Sequence, residues 1–140
     1  WDDPCPFEAG TVGEVLLAPT RLYVRQALGA IQAGGVHALA HITGGGLTEN
    51  PPRVMPEGLA CEIDLDAWTL PPVFRWLAET ASMAEAALLK TFNCGIGMIL
   101  VVAESAAPSL SRLLESHGES VVRLGRVITG EGVAYKGQFQ

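Results

Sequence analysis

Three consecutive glycines, Gly44 to Gly46, stand one residue beyond an apolar segment, Val36 to Ile42. A stretch with the start signals of a short helix follows them, Thr48-Glu49-Asn50-Pro51-Pro52-Arg53. Three glycines in a row cost conformational entropy, so the fold needs a backbone without Cβ atoms at that point. At a strand-to-helix junction the reason is often an anion, because bare N–H groups and the positive end of a helix converge there. The alternative is a glycine-rich turn with no ligand. No Gly-Lys-Ser/Thr follows, so this is not a Walker loop.

The rest of the chain reads as alternating helices and strands. Residues 1–19 hold Pro4, Pro6, Gly10, Gly13 and Pro19 and read as an extended entry loop. Tyr23, Val24, Ala27, Leu28 and Ile31 recur as one face of a helix, which Gly34-Gly35 ends. Val36 to Ile42 reads as a buried strand, and Thr48 to Arg53 as a helical turn broken by Pro51-Pro52. Leu59 to Leu65 alternates as a half-exposed strand does. Pro71-Pro72 opens a helix carrying Val73, Phe74, Trp76 and Leu77. Ser82-Met83-Ala84-Glu85 fits a capping box for the next one.

Ile96 to Val102 is uncharged throughout, as a central strand covered on both faces would be. Ser109 to Ser116 has helical spacing of Leu110, Leu113 and Leu114, with Gly118 just past its end. A final strand runs through Val121, Val122 and Leu124 to Ile128, ended by Gly130. This order predicts an α/β (α+β) fold, a mixed β-sheet with packed helices.

Bulk properties narrow the function. The chain has 140 residues, enough for one domain with a real core. A net charge of −6, with nine scattered basic residues, argues against a nucleic-acid partner. No apolar stretch approaches the ~18 residues of a membrane span, and no signal peptide is visible. Cys5, Cys61 and Cys94 have no metal-binding spacing with His37, His41 and His117, so no metal ligands are assigned and the thiols read as reduced.

The residues that can carry chemistry gather around the glycines. Thr43, Gly44, Gly45 and Gly46 form a candidate phosphate nest, aided by the Thr43 or Thr48 hydroxyl. His41 ends the strand beside it, either as a structural hydrogen-bonding group or as a functional one. Arg53 can reach a phosphate as a bidentate fork, or lie on the surface. Glu49 and Asn50 can cap the helix or contact a sugar. Asn93 and Gly95 mark the other junction, where they can simply end a helix. Gly97 within a strand asks for a close approach of something else. Cys94 has no partner to activate it as a nucleophile, and Trp68 and Trp76 read as packing residues.

The segments "HALAHITGGGLTENPPRVMPEGLACEIDL", "PPVFRWL", "LLKTFNCGIGMILVV" and "VVRLGRVITGEGV" together closely resemble the C-terminal domain of the phosphoribosylformylglycinamidine cyclo-ligase (aminoimidazole ribonucleotide synthetase) family. The entry segment "WDDPCPFEAGTVGEVLLAPTRLYV" is similar to that family's inter-domain connection. The resemblance implies a connecting segment at 1–20, a C-terminal domain at 21–135 and a tail at 136–140. It implies a cytoplasmic, nucleotide-binding ligase of purine biosynthesis, homodimeric at full length. ATP and Mg²⁺ would be bound mainly by an N-terminal domain that is not within these residues and is this chain's expected partner.

On that resemblance His41 is the catalytic candidate, acting as acid/base or through hydrogen bonding. Thr43, Gly44, Gly45, Gly46, Asn50 and Arg53 bind the ribonucleotide substrate and its phosphate, with Asn93 and Gly95 secondary. The chain alone is expected to be inactive. Pro51-Pro52 departs from the family's more usual aliphatic residue before one proline. A different class of reading, a non-catalytic phosphate-binding or interaction module of the same fold, is disfavoured by the intact polar set from His41 to Arg53.

Overall fold

A computed structural model describes residues 1–139. The predicted mixed α/β architecture is present, but its strands lie in two sheets rather than one. The first is an antiparallel ribbon of β1 (Val36–His41) and β3 (Met98–Val102), in register from His41 opposite Met98 to Ala38 opposite Val101, with a bulge before Val36 meets Val102. The second has the order β4-β2-β5, with β2 (Leu59–Asp64) antiparallel to β4 (Gly125–Thr129) and parallel to β5 (Val133–Lys136).

The uncharged run Ile96–Val102 is therefore not a central strand. Its β portion has one strand neighbour, β1, and all five β3 residues are only half-buried. Lack of charge reports tolerance of burial, and the ribbon covers these side chains only in part. Ile96 and Gly97 belong to the connection before the strand, where the Gly97 carbonyl accepts the Ile42 N–H at 2.9 Å and prolongs the ladder.

The last strand begins later than expected, because residues 121–124 have no strand pairing. Gly125 opens β4 where a Cβ would overlap the Glu62 carbonyl. β5 had no place in the sequence reading. It pairs Cys61 with Val133 and Asp64 with Lys136.

Helices pack around these sheets. Helix α1 (Val12–Leu16) interrupts the entry loop expected at residues 1–19: Thr11 caps it, with Glu14 completing the capping box. Helix α2 (Val24–Ala33) forms as predicted and ends at Gly34. It rests on α6 (Ala107–Ser116), but Ala30 is its fully buried residue, while Val24, Leu28 and Ile31 are exposed. The small residues face inward because they allow the closer helix approach, and the larger apolar stripe is left outside.

Helix α4 (Pro72–Thr80) opens at its proline. Helix α5 (Glu85–Thr91) does not use the Ser82 capping box: Ala84 is the N-cap, and Ser82 is left-handed at φ 48°. No helix among the described residues is long and apolar enough to cross a membrane.

One core joins these parts. Ala40 and Ile42 from the ribbon meet Cys61 and Ile63 from β2, Leu65 and Leu70 beyond it, Leu88 and Leu89 of α5, and Cys94. Leu47, fully buried, ties the segment after the glycines into this cluster.

Candidate functional site: the glycine loop and its cleft

The loop leaves the core at Ile42 and returns at Leu47, so both of its ends are fixed by burial. Between them the three glycines have different tasks. Gly45 and Gly46 are left-handed, at φ 101° and 55°. A Cβ on Gly46 would strike the Leu89 carbonyl and come within 2.6 Å of the Phe92 carbonyl, so this glycine lets α3 (Gly46–Glu49) lie against the end of α5. Gly44 faces open space, with nothing within 4 Å of a Cβ.

Asn50 is the loop's internal brace. It is buried, at 5% exposure, and its Nδ2 donates to the carbonyls of Gly46 (2.9 Å), Thr43 (3.3 Å) and Gly44 (3.3 Å). With those carbonyls turned inward, the Gly44 and Gly45 N–H groups make no hydrogen bond within the described residues. The Gly46 N–H is committed to the Thr43 carbonyl at 2.9 Å. Free amides therefore come from two of the three glycines. Helix α3 has only four residues, so its dipole adds little to them.

A cleft of about 250 Å³ opens beside this loop. Thr43 and Gly44 form one wall, Thr91, Phe92 and Asn93 the other, with Ile42 and Phe74 completing the lining. The Asn93 side chain is half committed, its Oδ1 accepting the Gly95 N–H at 3.0 Å. The left-handed residues in that turn are Cys94 and Gly95, at φ 51° and 94°.

Other candidates lie elsewhere. His41 and Arg53 do not line the cleft. His41 is exposed at the end of β1, its ring centroid 5.9 Å from that of Tyr23 in an edge-on arrangement. Tyr23 also supplies the close approach expected at Gly97, where a Cβ would collide with its hydroxyl. Arg53 donates from Nη1 to Asn50 Oδ1 at 3.4 Å and stands 3.7 Å from the Glu49 carboxylate. Gly95 is exposed and packs beside the Pro71 ring.

Thr48 is engaged with β5. Its hydroxyl hydrogen-bonds that of Tyr135 on β5 at 3.0 Å. Burial raises the Tyr135 pKa, and the hydrogen bond to Thr48 opposes that in part. Cys94 is fully buried and its thiol is pushed up to about 12, by burial first and by the Glu85 charge second. That excludes it as a thiolate nucleophile near neutral pH. Sequence reasoning missed the apolar wall of Phe74 and Phe92, which only tertiary packing brings opposite the loop.

Residues 1–137 match the family model described as AIR synthase related protein, C-terminal domain. Among solved structures, E. coli HypE, a hydrogenase maturation protein, is 22% identical over 89% of this chain and 40% of its own, with a TM-score of 0.67. Thiamine-monophosphate kinase from Stenotrophomonas maltophilia K279a is 21% identical over 76% of this chain and 33% of its own, with a TM-score of 0.56. The chain thus spans well under half the length of these neighbours, which share its fold. On the match over nearly its whole length, the chain belongs to the AIR synthase related family, as a C-terminal domain of that family.

Proposed function

We propose that this chain is the substrate-side domain of an ATP-dependent cyclo-ligase that closes formylglycinamidine ribonucleotide to aminoimidazole ribonucleotide. The observation that carries this reading is the pair of free amides at Gly44 and Gly45, beside the cleft that Thr43 and Asn93 share. Amides held outward by a braced loop suit a phosphate group, and the partly apolar cleft suits the body of a small ligand. Family membership over residues 1–137 supports the same reading.

In the proposed reaction, ATP transfers its γ-phosphoryl group to the formyl oxygen, and ADP leaves. The amidine-side nitrogen then attacks the formyl carbon, the C–N bond forms, and inorganic phosphate departs. In this scheme the chain's own groups hold and orient. Gly44, Gly45 and Thr43 take the ribonucleotide phosphate, and Arg53 faces the same charge. His41, exposed at the cleft-side end of its strand, supplies a proton or a hydrogen bond. Asn50 acts through the loop rather than on the ligand.

The Mg²⁺ that would assist phosphoryl transfer does not fit this chain. Among the described residues no three His, Cys, Asp or Glu side chains converge on a metal position. We assign that ion, with most of the ATP contacts, to an N-terminal domain and route no step through it. The exposed Val24, Leu28 and Ile31 stripe of α2 offers that domain an apolar surface. A cytoplasmic homodimer at full length is part of the same proposal.

The test mixes this chain with the matching N-terminal half and measures ATP-dependent closure of the ribonucleotide. Activity that needs both halves is expected, and none from the chain alone. Turnover by the isolated chain would refute the division of labour. No turnover with both halves folded would favour a non-catalytic binding module.

A further inference from the structure

Two cations converge on a single carboxylate at the glycine loop. Glu49 Oε1 lies 3.4 Å from Lys90 Nζ on α5, and Glu49 Oε2 lies 3.7 Å from Arg53 Nη2 in the turn Pro51–Val54. This carboxylate sits directly over Gly45: an added Cβ there would be 2.9 Å from Oε2 and 3.4 Å from Arg53 Nη2. Elsewhere Arg21, Arg123, Arg126 and Lys136 each meet a carboxylate of their own. Around Gly45 the ratio is two cations to one anion, a local positive excess in a chain of net charge −6.

The contacts are also loose. Lys90 and Arg53 side chains are 65% and 61% exposed, and both ion-pair distances exceed those of good charge-assisted hydrogen bonds. Exposed pairs of this kind contribute little, so a better anion displaces the carboxylate readily. A phosphate monoester dianion is a better anion. It offers Arg53 two parallel acceptors, Lys90 a third, and the nearby Gly44 and Gly45 amides the rest.

We propose that Lys90 and Arg53 form the cationic jaw of a phosphate-monoester site over Gly45, and that Glu49 holds this jaw as a placeholder until the ligand displaces it. The inference rests on the reading that the glycine loop takes a phosphate. It adds Lys90 as a binding residue, gives Glu49 an opposing role and names the ligand class. Affinity for a dianion then falls with added salt, because the jaw is solvent-exposed.

The experiment titrates the full chain with ribose 5-phosphate, following loop amide resonances by NMR, for wild type, Glu49→Gln, Lys90→Ala and Lys90→Arg. Glu49→Gln should bind roughly threefold to tenfold more tightly, since both cations lose their competitor. Lys90→Ala should bind more weakly by a similar factor, and Lys90→Arg should retain most affinity. ATP without magnesium is titrated in parallel. Changes confined to ATP would make this a polyphosphate site and overturn the monoester assignment. Unaltered or weaker binding by Glu49→Gln, or an unaltered Lys90→Ala, would overturn the jaw while leaving the glycine-loop reading intact. Folded variants that all ignore ribose 5-phosphate would overturn both.

Discussion

The Asn50 amide nitrogen lies 2.9 Å from the Gly46 carbonyl, and the same nitrogen reaches the carbonyls of Thr43 and Gly44 at 3.3 Å. One buried side chain thereby sets the direction of a whole loop. Its carbonyls point inward to Asn50, and the Gly44 and Gly45 amides make no hydrogen bond among the described residues.

Asn50→Ala removes the donor that three loop carbonyls share, the buried one of Gly46 among them. The expected loss is about 1–3 kcal/mol of stability. Asn50→Asp keeps the shape but aims a carboxylate at three carbonyl oxygens, and should cost more. Urea unfolding of the three proteins checks the order. An aspartate variant as stable as wild type would show that the brace is not electrostatic.

The glycines separate into structural and open positions. Gly46→Ala places a methyl group against the Leu89 and Phe92 carbonyls at a left-handed φ, and should cost about 2 kcal/mol or more. Gly44→Ala meets nothing and should alter stability by less than about 0.5 kcal/mol. Thermal or urea unfolding distinguishes them. Equal effects at the two positions would contradict the packing of α3 on α5.

These distinctions mark how far the sequence could be read. The triplet Gly44–Gly46 announced a special backbone, yet nothing local says that Gly46 serves packing, because its neighbours Leu89 and Phe92 are more than forty residues away. Asn50 read equally well as a ligand or a cap for the same reason: its partners are backbone carbonyls set by the folded loop. Two of the chain's capping-box patterns differ in outcome. The one at Ser82 does not form, since Ser82 is left-handed and Ala84 begins α5. The one at Thr11 does, inside a segment whose prolines and glycines suggested only loop.

Helix α2 shows the same division. Its periodicity located the helix, but the larger side chains of its apolar stripe face outward because α6 takes the alanine side. Strand β5 is short and follows Gly130-Glu131-Gly132, so its register is supplied by β2 rather than by its own pattern.

Gly97 and Tyr23 are expected to be energetically coupled. Gly97→Ala alone pushes its methyl group into the Tyr23 hydroxyl and should destabilise by about 1–3 kcal/mol. In a Tyr23→Ala background the obstacle is gone and the same substitution should be close to neutral. A double-mutant cycle measures the coupling. Additive effects would mean that Gly97 is required for its own backbone, not for the tyrosine.

Alkaline pH should unfold this domain earlier than its composition suggests. Cys61, Cys94 and Tyr135 are acids whose neutral forms the fold favours, all three mainly through burial. An unfolded chain releases its thiol protons from about pH 9, while folded Cys94 keeps its proton to about 12. Their contribution is therefore complete below about pH 9 and is lost as pH rises through the folded values. The slope from Cys94 alone is at most about 1.4 kcal/mol per pH unit. Urea midpoints should hold from pH 8 to about 9 and fall from there to pH 11, and Cys94→Ala should flatten part of that fall. The methyl group keeps the left-handed backbone strain of the wild type, so a change in slope reports the thiol itself. An identical slope in wild type and variant would mean that the Cys94 proton does not drive the transition.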